Sequence, residues 1–139
     1  MNLTWHNPFL FVYGSLMSGL FLHSELQGAP CLGVACVQGA LYDLGDYPGL
    51  VHSSNAKDLV FGQVYSLQPA QWQRLDLVEE FDPQQPERSM YLRQGLKLLG
   101  VGVDRPVTAD AQAYVYNRSV AHCQRIGHGD YRRYLQEKI

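Results

Sequence analysis

The sequence predicts an α+β domain built on one curved or closed sheet. Three observations carry that expectation. Strand-length runs of apolar, β-branched and aromatic residues outnumber helical patterns; glycines interrupt the longest run at Gly33 and Gly39; and only one long helical pattern stands among the strands. A chain of 139 residues reads as a single domain, 1–139. At about 150 residues a domain buries roughly two-thirds of the surface its unfolded chain exposes, so no disulfide or metal is needed as a staple.

After a lead-in over 1–8, the run "PFLFVY" (8–13) stops at Gly14, as a buried strand entering a turn does. "GLFLHSELQG" (19–28) has the pattern of a short helix closed by Gly28. "CLGVACVQGALYDL" (31–44) reads as strand, its glycines marking bulges or bends. "GDYPGL" (45–50) has turn composition, and "LVFGQVYSL" (59–67) is a further strand. "PAQWQRLDLVEEF" (69–81) is the long helix, with Pro69 in the first helical position, where no amide hydrogen is required. Beyond the loop 82–89, "MYLRQGLKLL" (90–99) and "AQAYVYN" (111–117) form a hairpin around 100–110. "GDYRRYLQEK" closes the chain as a helix over about 129–138, with Asp130 as its N-cap. Most neighbouring strands are expected to pair antiparallel.

Composition narrows the function classes. A formal charge of −2 and a pI near 6.2 give no basic field for a phosphate backbone, so nucleic acid is not an expected partner. Cys31, Cys36 and Cys123 are odd in number and lack CxxC spacing, which fits reduced thiols. The opening residues lack a basic n-region, and no run of about 18 apolar residues could span a bilayer. The expectation is a cytoplasmic protein without a membrane partner. Nine tyrosines, each with an apolar body and a polar tip, favour a lined cavity.

Two stretches carry candidate chemistry. In the long helix, adjacent positions point about 100° apart. Counted from Trp72, the residues Trp72, Leu75 and Val78 share one stripe, Glu79 projects between Trp72 and Leu75, and Gln73, Asp76 and Glu80 gather on the polar side. A carboxylate in an apolar stripe is costly unless paired or protonated. Glu79 is therefore either a buried ion-pair partner of Arg93, an edge residue reaching water, or a general acid/base with a pKa raised toward neutrality. The helix alone does not choose.

The second stretch is "VYGSLMSG" (12–19), a strand end followed by successive backbone amides that can cradle a carboxylate or an oxyanion. It lacks the lysine of a phosphate loop, and Ser15 sits in Y-G-S-L, not in a nucleophile elbow. A serine hydrolase built on Ser15 has no supporting spacing. His122, Cys123 and His128 match no zinc pattern. Neither metal nor cofactor is expected.

Six strings occur in one order: "VYGSL", "ALYDLGDYPGLV", "GQVYSL", "LDLVEEFDP…YLR", "AQAYVYNR" and "GDYRRYL". Together they resemble the gamma-glutamyl cyclotransferase-like family, particularly its short bacterial branch, over about residues 9–135. The resemblance implies a small mixed barrel with flanking helices and a pocket at one end. It implies that Tyr13, Gly14, Ser15 and Leu16 hold a glutamyl or oxoproline moiety through backbone amides. It also implies that Glu79, ending the L-D-x-x-E string 75–79, is the catalytic glutamate. The implied reaction is intramolecular: a γ-glutamyl compound closes to 5-oxoproline and expels an amine or amino acid. Tyr116 is either a substrate-orienting hydroxyl or a core tyrosine. The family's usual glycine after the catalytic glutamate is here Glu80, which either raises the Glu79 pKa further or points to water. A protein of the same fold that binds a glutamyl-like ligand without turning it over is the alternative. The far wall of the pocket, expected from 45–58, 82–90 and 117–129, decides which amine leaves; the residues name neither that amine nor an oligomeric state.

Overall fold

In a computed structural model, residues 7–17, 19–20, 22–99 and 110–138 are described. The strands are β1 (Phe9–Val12), β2 (Cys31–Gln38), β3 (Ala40–Asp43), β4 (Pro48–Val51), β5 (Leu59–Ser66), β6 (Tyr91–Lys97), β7 (Asp110–Tyr116) and β8 (Gln124–Ile126). The helices are α1 (Pro69–Val78) and α2 (Tyr131–Glu137), with single 3-10 turns at His23–Leu26 and Pro86–Arg88.

All eight strands join one mixed sheet in the order β2-β5-β1-β7-β4-β3-β8, with β6 added on β7. β7 is the hub. Its one side pairs antiparallel with β6 from Tyr91↔Tyr116 to Lys97↔Asp110. Its other side is shared by β1 and β4, both parallel to it, at Leu10↔Gln112 and Leu50↔Val115. The sheet curls until Cys36 of β2 meets Leu99, just beyond β6, in an isolated antiparallel bridge. Among the described residues no continuous ladder closes the ring, so of the two expected forms the curved sheet is the one present. Part of the curl originates at Gly33, where the β2–β5 register shifts and the backbone adopts φ +132°, a conformation open to glycine. At Gly39 the chain changes partners, leaving β5 to pair with β4 and β8.

The buried core joins Leu10, Phe11, Val37, Val60 and Val64 of the sheet with Trp72 and Leu75 of α1. α1 begins as expected at Pro69, and Gln68 and Gln71 close a reciprocal capping box. α2 begins at Asp130, whose side chain accepts from the Arg133 amide.

Several expected elements differ. The 19–28 helix is reduced to one 3-10 turn. "GDYPGL" is only half turn: Pro48–Val51 is β4, opened by a proline at a strand's first position, where the missing donor costs least. β8 lies in a segment that shows no strand pattern, being only three residues long. α1 ends at Val78, three residues before Phe81. The lead-in residues 1–6 and the hairpin connection 100–109 lie outside the described residues. Among the described residues no helix is long and apolar enough to cross a membrane.

Candidate active site

β1 is buried from Leu10 to Val12 and ends in a turn whose carbonyls are all used by the protein. The Gly14 carbonyl accepts from the Met17 amide at 2.9 Å and the Ser15 carbonyl from the Leu22 amide at 3.0 Å. The Leu16 carbonyl lies 2.9 Å from His23 Nδ1. Among the described residues, nothing accepts from the amides of Ser15 or Leu16, and the buried Ser15 Oγ has no partner. Buried donors without acceptors are rare and ask for an explanation. Glycine at position 14 is required by packing: a Cβ there would sit 2.6 Å from Pro48 Cγ.

The Tyr13 side chain is buried and packs in the core. Its hydroxyl donates to the Tyr114 carbonyl at 2.5 Å and accepts from the Leu50 amide at 3.2 Å. This ties the end of β1 to β7 and β4. Burial pushes the phenol far above its ordinary pKa, with the nearby Glu79 charge adding to the effect.

The end of α1 supplies the carboxylates. Glu79 is the C-cap residue, and its amide donates to the Leu75 carbonyl at 2.8 Å. Glu80 follows at φ +53°. The Glu80 amide donates to the Leu77 carbonyl at 3.2 Å and the Phe81 amide to the Asp76 carbonyl at 2.8 Å. That bond pair is a Schellman motif, with a glutamate in the left-handed position usually given to glycine. The motif turns the chain so that Glu79 is partly buried and Glu80 exposed. Among the described residues the Glu79 carboxylate has no ion pair. Burial raises its pKa to about 7, helped by the Glu80 charge.

Arg93, one expected partner for Glu79, instead donates from Nη1 to both carboxylate oxygens of Asp76 at 3.1 Å. Its guanidinium lies over the Trp72 ring, 4.9 Å from the centroid. The Tyr114 hydroxyl also donates to Asp76, at 2.7 Å. Arg93 and Tyr114 are register partners on β6 and β7, so a cross-strand pair grips the helix through one acid.

The turn and the helix end face one cavity of about 290 Å³, near the lower bound of small-ligand sites. Tyr13, Gly14, Ser15, Leu16 and Glu79 all line it, together with Glu80, Tyr47, Pro48, Tyr91 and Tyr114. Of the segments expected to form the far wall, only the first contributes, through Tyr47 and Pro48. Tyr116 is not brought to the cavity: its ring packs edge-on against Tyr91, 5.4 Å between centroids. Tyr91 and Tyr114 take the lining positions that sequence reasoning did not single out. Tyr91 is fixed by donating to the Pro48 carbonyl at 2.8 Å. No local pattern announces these two tyrosines: it is the β6–β7 register, with Tyr91 opposite Tyr116 and Arg93 opposite Tyr114, that sets their positions. No group of three or more His, Cys, Asp or Glu side chains placed to hold a metal occurs among the described residues.

The family model described as gamma-glutamyl cyclotransferase, AIG2-like, matches residues 10–133. A Vibrio cholerae protein provisionally named gamma-glutamylcyclotransferase is 40% identical over 73 residues, covering 51% of this chain and 61% of that protein. The match thus spans less than two-thirds of that relative's length. The solution structure of protein ytfP from Escherichia coli superimposes with a TM-score of 0.61 at 31% identity, over 88% of this chain and 95% of that one. An aig2-like protein from Mus musculus shares the fold, with a TM-score of 0.61 at 22% identity over 83% and 79% of the two chains.

Proposed function

The chain belongs to the AIG2-like gamma-glutamyl cyclotransferase family, and from that premise we propose that it releases 5-oxoproline from a γ-glutamyl compound. The α-amine nitrogen attacks the γ-carbonyl carbon, a five-membered lactam forms, and the bond to the leaving nitrogen breaks. Nucleophile and electrophile belong to one molecule, so the protein's main task is to hold a folded conformer. Well-oriented ring closures reach effective molarities on the order of 10⁵ M or more.

Two protons leave the α-ammonium, one to free its lone pair before attack and one as the lactam N–H forms. The departing nitrogen takes up one of them to leave as an amine, and the other passes to solvent or protonates that amine. A single carboxylate with a pKa near neutrality serves as base and then as acid, and Glu79, raised to about 7, has that property. The amides of Ser15 and Leu16 supply donors for the substrate α-carboxylate or for the tetrahedral oxyanion. No cofactor enters these steps.

The observation that carries this reading is the meeting of two features in one cavity that are unsatisfied among the described residues: a carboxylate without a cation and amides without an acceptor. Incubation with γ-glutamyl amines and γ-glutamyl amino acids, with 5-oxoproline measured by mass spectrometry, tests it. Product is expected, and is lost in Glu79→Gln. Ligand binding without product would replace this reading with that of a non-catalytic binding module.

A further inference from the structure

The polar lining of the cavity is lopsided. Its donors for an anion are concentrated in the turn 14–16. Elsewhere its polar groups are the carboxylates of Glu79 and Glu80 and the phenols of tyrosines; among the described residues no lysine, arginine or histidine lines it. If the turn takes the α-carboxylate of the glutamyl half, no cationic side chain among the described residues remains to receive a second carboxylate on the leaving half.

Glu80 sharpens the imbalance. It lines the cavity yet is exposed, which places it at the rim. Its carboxylate has no ion pair or hydrogen bond among the described residues. It is the one non-glycine residue with positive φ among them, a conformation that disfavours a Cβ and is retained where the surroundings or the function require it. Tyr47, 37% exposed, adds an aromatic ring to the same rim, and ring faces attract cations. At the closed end, the unpartnered and buried Ser15 hydroxyl is a second group awaiting a ligand.

We propose that Glu80 is a specificity-determining residue that selects γ-glutamyl compounds whose leaving amine carries a second, positively charged group, such as an alkyl diamine. This rests on the cyclisation reading above and adds the charge of the expelled half. In the bound substrate the glutamyl carboxylate lies toward residues 14–16, the scissile amide lies beside Glu79, and the distal ammonium reaches the rim at Glu80 and Tyr47. An amino-acid leaving group would set its carboxylate against Glu80.

Three conjugates of equal chain length test this: γ-glutamyl derivatives of pentylamine, of 1,4-diaminobutane and of 4-aminobutanoate, with neutral, cationic and anionic tails. An exposed ion pair is worth about 0.2–1 kcal/mol, so kcat/KM is expected to be roughly 1.4- to fivefold higher for the cationic tail than for the neutral one. The anionic tail is expected to fall below the neutral one by a similar factor. Glu80→Gln, which keeps the backbone demand, is expected to collapse the two ratios toward one, as is about 1 M salt, where the Debye length is near 3 Å. The ratios are the readout, since any change at Glu79 affects all three substrates alike. Equal or better turnover of the anionic conjugate, or ratios untouched by Glu80→Gln, overturns the proposal. Calorimetric binding of the three compounds to Glu79→Gln separates it from the reading beneath it. Charge-ordered affinity without 5-oxoproline from the native protein refutes cyclisation and keeps the selectivity. Product without charge order does the reverse, and neither product nor binding refutes both.

Discussion

Asp76 and Glu79 leave the same end of α1, three residues apart, and meet opposite surroundings. Burial raises the pKa of both. At Asp76 that effect is opposed by the Tyr114 hydroxyl and the Arg93 guanidinium. At Glu79 it is reinforced by Glu80. One carboxylate is the knot that ties the helix to β6 and β7; the other, among the described residues, is left without a counter-charge beside an open cavity. A fold tolerates an uncompensated buried acid only at a cost, and such sites concentrate where chemistry needs the perturbed group. The contrast separates a structural acid from a candidate catalytic one more sharply than burial alone does.

Removing each acid in turn breaks the comparison most directly. Glu79→Gln is expected to lower the rate of 5-oxoproline release by about 10²–10⁴-fold, the range for losing a general acid/base, with circular dichroism unchanged. Asp76→Asn is expected to act on stability. Breaking a fully buried pair costs about 3–5 kcal/mol; with side chains 16% exposed at Asp76 and 22% at Arg93, a loss of about 2 kcal/mol in urea unfolding is the expectation. Equal activity losses for the two variants, at equal stability, would erase the distinction.

What could be read from the residues followed from periodicity, and what could not depended on long-range register. The 100° count put Glu79 inward and Glu80 outward without knowledge of the cavity. Pro69 and Asp130 marked helix starts because a missing donor and an accepting side chain act locally. The end of α1 was misplaced because its left-handed residue is a glutamate, not the glycine that usually announces a Schellman turn. From the residues alone Arg93 is a candidate partner for Glu79; in the structure it pairs with Asp76 instead, a choice that no local pattern carries. Tyr114 and Tyr116 are two apart on β7 and chemically alike; Tyr114 is the one whose hydroxyl reaches Asp76 of α1 and that lines the cavity. The two parallel pairings of β7 join a strand late in the chain to the early strands β1 and β4, which no neighbouring turn signals.

The cost at Glu79 has a pH signature. Its folded pKa, about 7, lies above the ordinary value of 4.5, so the folded state binds the proton more tightly. The favourable contribution is fully present below about pH 4.5 and is lost as pH rises through 7. Asp58, held low by the Ser53 hydroxyl and Arg125, and Glu137, held low by His128, run the other way and lose their contributions as pH falls. Comparing native protein with Glu79→Gln isolates the first effect. The variant is expected to gain on the native protein steadily from pH 5 to pH 8, reaching about 2 kcal/mol, below the roughly 3 kcal/mol that the full shift converts to, since Glu79 is only partly buried. A constant difference across that range would mean that Glu79 is solvated like an ordinary glutamate.

The smallest effect sharpens the comparison at its edge. Glu80 holds a left-handed conformation that costs a residue with a Cβ about 1 kcal/mol relative to glycine. Glu80→Gly is therefore expected to raise stability by about 0.5–1 kcal/mol in chemical denaturation. Removing its charge also withdraws the secondary influence that lifts the Glu79 pKa, so the acidic limb of the activity profile is expected to move to lower pH. Glu80→Gln should reproduce the shift of that limb without the gain in stability, since glutamine keeps the Cβ. A variant pair that separates in this way shows that the rim acid tunes its neighbour by charge and burdens the fold by shape, two effects that one glutamate imposes together on the turn beyond α1.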